Sequence, residues 1–146
     1  MKQRLEWLAQ KCLDRKLILD TFLLLGAIRL GLRFLPFQTL QNKLETTSHF
    51  FPKTKEKLSV GKIIWVVNAS SRYMPGGVKC LARALTAQVL MRQHDHQGEL
   101  RIGVAKGETG ELEAHAWIEH RGRVVIGNLS DLQRYIPMPS FKGSRL

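Results

Sequence analysis

The sequence is poor in cysteine, in acidic residues and in unbroken apolar runs. Cys12 and Cys80 are the two cysteines among 146 residues. They are too few for a disulfide framework, so a reduced, cytoplasmic setting is expected. Acidic side chains number 12 against 23 Lys and Arg, a net charge of +11, which excludes an acidic disordered regulator. The excess is spread along the chain: residues 1–62 carry 12 basic and 5 acidic, residues 63–146 carry 11 and 7. The most apolar stretch, Leu17–Leu35, has an uninterrupted run of only Thr21–Ile28, bounded by Asp20, Arg29 and Arg33. A membrane span needs roughly 18–20 apolar residues. A buried helix or hydrophobic docking surface is expected there instead, and membrane association is not.

What is present reads as one globular chain. At 44% hydrophobic and 24% charged, it can bury a core without staples. The basic surplus suits acidic partners. No aromatic-interleaved basic motif or helix-turn-helix signature turns it toward nucleic acid, which is not expected as a partner. Gly76-Gly77 is too short for a phosphate loop, so no cofactor is expected.

Leu5, Leu8, Ala9, Cys12, Leu13 and Leu17 recur at helical spacing and predict an amphipathic helix, with Cys12 a buried, inert thiol on its apolar stripe. Leu35-Pro36-Phe37 ends the following helical stretch, and Gln38–Glu45 adds another helical turn or two. Residues 46–59 form a polar, Lys-rich connector. The expected organisation is a helical region over 1–59 and a core over 60–146, together one compact unit. Ile63–Val67 fits strand or helix. Met74-Pro75-Gly76-Gly77 signals a turn, Cys80–Leu90 a helix, and Glu99–Ala105, Leu112–His120 and Arg123–Gly127 strands. Helices followed by antiparallel strands predict an α+β fold.

The chemistry concentrates at Cys80 and His115. A cysteine in the first turn of a helix sits where backbone N–H groups and the helix dipole favour negative charge, the form in which a thiol is nucleophilic. Strand alternation places His115, Trp117 and Glu119 on one face of Glu113–Glu119, and the flanking alanines leave room for a second side chain to approach the ring. A helix cysteine and a strand histidine, apart in sequence, are how cysteine hydrolases assemble a nucleophile and its base. If Arg121-Gly122 is a two-residue turn, paired positions sum to about 243, and Asn128 falls opposite His115 as an amide able to orient the ring. Asp131, three residues on, is the alternative acceptor. A metal site is not expected: His94-Asp95-His96 has suitable donors, but no Cys-x-x-Cys or His-Glu-x-x-His motif accompanies it. His49 and His120 read as surface residues.

Ser71–Leu85, with its Pro-Gly-x-x-Cys-Leu element, and Ala114-His115-Ala116-Trp117-Ile118-Glu119 together resemble the lasso-peptide leader peptidases, the family of the microcin-processing enzyme. Leu100–Val104, Gly122–Gly127 and Asp131–Tyr135 are similar to that family's following segments in order and spacing. The resemblance implies a papain- or transglutaminase-like cysteine protease core with a helical N-terminal region. It implies Cys80 as nucleophile, His115 as base and acid, and an Asp as the orienting member, which favours Asp131 where hairpin geometry favours Asn128. It further implies a substrate, a ribosomally made precursor peptide, and partners: a small leader-recognition protein and an ATP-dependent macrolactam cyclase. With no room before Leu17–Leu35 for a fused recognition domain, the protease half of a split pair is expected. Two other classes fit the same composition: a non-catalytic basic binding or assembly protein, and a membrane-surface protein anchored through residues 17–35.

Overall fold

The computed structural model describes residues 2–47, 57–75 and 79–137. Four helices precede a small sheet: α1 (Lys2–Phe34), α2 (Phe37–Thr47), α3 (Val60–Tyr73) and α4 (Cys80–Gln93), then β1 (Glu99–Lys106), β2 (Leu112–His120), β3 (Arg123–Ile126) and, after a 3₁₀ turn (Leu132–Arg134), β4 (Ile136–Pro137). The sheet is antiparallel throughout, in the order β3-β2-β1-β4. This is an α+β fold compatible with a transglutaminase-like core behind a helical N-terminal region.

The β-branched run at 63–67 is helical, and its surroundings say why. Ser59 caps α3 by accepting a hydrogen bond from the Lys62 N–H at 3.1 Å. Ile63, Val66, Val67 and Ser70 then recur at helical spacing and are buried. Ser70 donates to the Ile18 carbonyl of α1 at 3.1 Å, and Lys62 pairs with Asp14 at 2.7 Å, holding the Asp14 carboxyl below its ordinary range. These bonds brace α1 against α3.

Helix α4 lies between α1 and α3 on one side and the sheet on the other, with β2 as its main strand contact. It is therefore buried almost all round, through Ala82, Ala84, Leu85, Thr86, Ala87, Val89, Leu90 and Met91. One hydrophobic cluster joins Leu24, Leu25 and Ile28 of α1 and Leu40 of α2 to α3, α4 and Leu100, Ala116, Ile118 and Ile126 of the sheet. None of the helices among the described residues is long and apolar enough to cross a membrane.

Three expectations are corrected. The two apolar segments Leu5–Leu17 and Leu17–Leu35 are one continuous helix. Cys12 is exposed, not buried. The core face of α1 is Thr21, Leu24, Leu25 and Ile28; at about 100° per residue, Cys12 lies roughly 160° round the helix from Ile28. Third, His94, which opens the segment expected as a polar turn over His94–Gly98, is buried, only 7% exposed. Residues 48–56 of the expected connector, His49, Gly76 and Gly77 lie outside the described residues.

His94 and His96 together hold both backbone polar groups of Leu58. The Leu58 N–H donates to His94 Nδ1 at 3.1 Å, and His96 Nε2 donates to the Leu58 carbonyl at 2.7 Å. Burial, with the neighbouring His96 charge, pushes the His94 pKa below the usual histidine value of 6.5, against an opposing pull from Asp95. The bond from Leu58 also requires an unprotonated Nδ1. Unfolding releases His94 to take up a proton, so its contribution is full above about pH 6.5 and is lost as pH falls below that. Denaturant unfolding across pH 8 to 5 should show this decline, and a His94→Asn variant should have a shallower slope. An unchanged slope would remove His94 as its source.

Candidate active site

Cys80 opens α4. Lys79, in extended geometry at the N-cap, makes no side-chain capping bond, which among the described residues leaves the first-turn N–H groups of the helix to an approaching anion. The chain leading into this turn is tied to α1. Arg29 Nη1 donates to the Pro75 carbonyl at 2.7 Å, and Met74 N–H closes on the Ser71 carbonyl at 3.3 Å. One turn into α4, Arg83 Nη2 bonds Asn68 Oδ1 of α3. Cys80 itself is half-buried and packs against the main cluster.

His115 belongs to the other face of the sheet. Its register partner is Gly103, and that face carries Arg101 opposite Trp117 and Ala105 opposite Glu113. Leu100 and Ile102, opposite Ile118 and Ala116, point into the helical layer instead. The burial pattern agrees with this division: Ala105 and Trp117 are buried, yet neither joins the main cluster. Gly103 makes the outer packing possible, since a Cβ there would meet the Trp117 ring at 2.8 Å and Tyr135 Cβ at 3.0 Å. The imidazole stacks on Trp117 at 6.1 Å between centroids and lies 5.6 Å from the Tyr135 ring. No hydrogen bond joins it to Cys80 among the described residues, and Cys80 sits on the helical side of the sheet.

The hydrogen bond that orients His115 comes from neither predicted partner. The two-residue turn is as expected: Arg121 and Gly122 both have positive φ, 51° and 78°. Pairing starts as predicted, with His120 opposite Arg123 and Glu119 opposite Val124. A bulge then shifts the register, so that Ile118 faces Ile126 and β3 ends there. Asn128 is thereby carried out of the pairing and is exposed. Instead, His115 Nε2 donates to the Gly127 carbonyl at 2.6 Å. Because a carbonyl only accepts, this bond places the proton of the neutral ring on Nε2 and leaves Nδ1 as the free acceptor.

Asp131 is engaged elsewhere. Arg134 donates to Asp131 Oδ2 from Nε at 3.2 Å and from Nη2 at 3.1 Å, to Glu113 Oε2 at 2.7 Å, and to the Lys106 carbonyl at 2.9 Å. These two carboxylates hold the guanidinium firmly charged. Burial, and the Glu113 charge after it, push the Tyr135 phenol up from its usual value; its O–H reaches Glu113 Oε2 at 3.4 Å. Glu113, Arg134 and Tyr135 thus fasten the closing segment over His115. The strand alternation anticipated Trp117 beside the ring, but no pattern announced the Arg134 bridge. Among the described residues no three His, Cys, Asp or Glu side chains cluster as a metal site would require.

Gly127 (φ 84°) is irreplaceable in this arrangement, since a Cβ would stand 2.7 Å from the Ala116 carbonyl oxygen. Gly127→Ala should destabilise the fold by about 1–3 kcal/mol and release the imidazole. Chemical denaturation reads the first effect. Ring-nitrogen NMR should read the second as loss of the single Nε2-protonated form.

A family model described as transglutaminase-like superfamily matches residues 22–140. No curated protein and no solved structure matches the chain.

Proposed function

Given a chain that belongs to the transglutaminase-like superfamily, we propose a cysteine peptidase that removes the leader from a ribosomally made lasso-peptide precursor. The observation that carries this reading is a thiol at an uncapped helix start, in the same unit as a histidine whose Nδ1 is kept free. In the proposed reaction, Cys80 Sγ attacks the scissile carbonyl and the first-turn N–H groups of α4 stabilise the oxyanion. His115 Nδ1 takes the thiol proton, passes it to the departing amine, and then draws a proton from the water that frees the acyl group from Cys80. Asp131 and Asn128 are retained as candidate orienting groups for a substrate-bound state; the Gly127 carbonyl fills that position here. The partners in this reading are the precursor peptide, a separate leader-binding protein and the ATP-dependent cyclase that uses the freed amine. The setting is cytoplasmic, in keeping with two free thiols.

The placement of Cys80 and His115 on different sides of the sheet favours a second reading, a non-catalytic basic binding or assembly protein. To pair with the thiol, the imidazole must leave the Gly127 carbonyl and come round β2 past the point where β3 ends at Ile126.

One pair of measurements separates the two readings. Under mildly acidic conditions, iodoacetamide should modify Cys80 faster than exposed Cys12, the internal reference. His115→Gln should slow the Cys80 reaction by on the order of tenfold or more. Equal rates for both thiols, unmoved by that variant, would reject a thiolate–imidazolium pair. With precursor and leader-binding protein supplied, Cys80→Ala should abolish leader removal while melting near the wild-type temperature; continued cleavage would overturn the nucleophile assignment.

A further inference from the structure

Helix α1 has two apolar faces, and among the described residues the core covers one of them. Opposite the buried face of Thr21, Leu24, Leu25 and Ile28 runs a second stripe of Leu5, Leu8, Cys12, Leu19, Leu23, Leu30 and Phe34, separated by helical intervals. Its members are strongly exposed: Leu5 67%, Leu19 57%, Leu23 61%, Leu30 60% and Phe34 74%. The stripe spans about 44 Å at 1.5 Å per residue. Large exposed apolar strips of this kind mark interaction surfaces.

The charges beside the stripe say what fits it. At about 100° per residue, Arg4, Lys11, Arg15, Arg29 and Arg33 all fall within roughly 40° of one another along a single flank, and no acidic residue joins them. All five are exposed, though Arg29 also holds the Pro75 carbonyl. An antiparallel second copy of the helix would set this basic flank against itself. Lys16 interrupts the stripe; a dry helix–helix contact would bury its ammonium, whereas at a bilayer its methylenes lie along the acyl boundary while the charge rises to the headgroups.

We propose that the outer face of α1 docks flat on an anionic lipid bilayer, leucines in the interfacial layer and the basic flank among the headgroups. The helix lies on the membrane without crossing it, which is why the absence of a spanning segment does not bear on it. The proposal is independent of the peptidase reading: it uses none of the residues assigned to the reaction.

Co-sedimentation of the full chain with phosphatidylcholine–phosphatidylserine vesicles, against pure phosphatidylcholine vesicles, tests it. Binding is expected to the anionic vesicles, to weaken as salt is raised, and to fall by on the order of tenfold in Leu19→Glu/Leu23→Glu. Those positions are outside the core, so the variant should melt like the wild type. A separate Arg4→Gln/Lys11→Gln/Arg15→Gln variant should lose the preference for anionic lipid. Failure to bind anionic vesicles overturns the proposal, as does binding indifferent to the leucine substitutions. So does a stable homodimer in sedimentation velocity that Leu19→Glu/Leu23→Glu dissociates, because the stripe would then be occupied by a second copy.

Discussion

The burial of α4 is the constraint on which the rest of the molecule depends. A helix enclosed by two helices and a sheet must present small or apolar groups over most of its surface, and Ala82, Ala84, Leu85, Ala87, Val89, Leu90 and Met91 do so. Thr86 is tolerated because its hydroxyl bonds the Ala82 carbonyl of its own helix at 2.8 Å. This enclosure fixes where the first turn of the helix stands, and with it the position of the Cys80 thiol relative to α1 and the sheet.

Much of the architecture was legible in local pattern. The limits of β2 and the Arg121-Gly122 turn followed from alternation and turn chemistry, and the α+β class from the order of segments. The hexapeptide around His115 correctly gave Trp117 as its neighbour on the face. What could not be read were features decided by tertiary context. Ile63–Val67 has a β-branched composition, and only the Ser59 cap and the burial of every third or fourth residue make it helical. The apolar stripe through Cys12 had no partner because the core selected the other side of the same helix. A periodicity announces that a face exists; it does not say which of two faces is covered.

The site shows the same limit at finer scale. A pairing sum is valid only while the ladder is regular, and one bulged residue replaced a side-chain amide with a main-chain carbonyl as the acceptor for His115. The chemical function of the contact, fixing the ring tautomer, is preserved by a different atom. Parity placed His115 and Trp117 together correctly but carried no information on which side of the sheet the helices would lie. Membership of the transglutaminase-like superfamily supplies the expectation of a cysteine chemistry that the individual contacts of Cys80 and His115 leave open.

The long helix also has a mechanical meaning. Its braces begin at Asp14, continue through Ile18, and end in the buried residues Thr21 to Ile28, while residues 2–13 are exposed on all sides. That free section is an arm of about 18 Å; just past Ile28, Arg29 grips the Pro75 carbonyl ahead of Cys80. The same helix that supplies Thr21, Leu24, Leu25 and Ile28 to the core therefore also anchors, through Arg29, the stretch of chain that precedes α4.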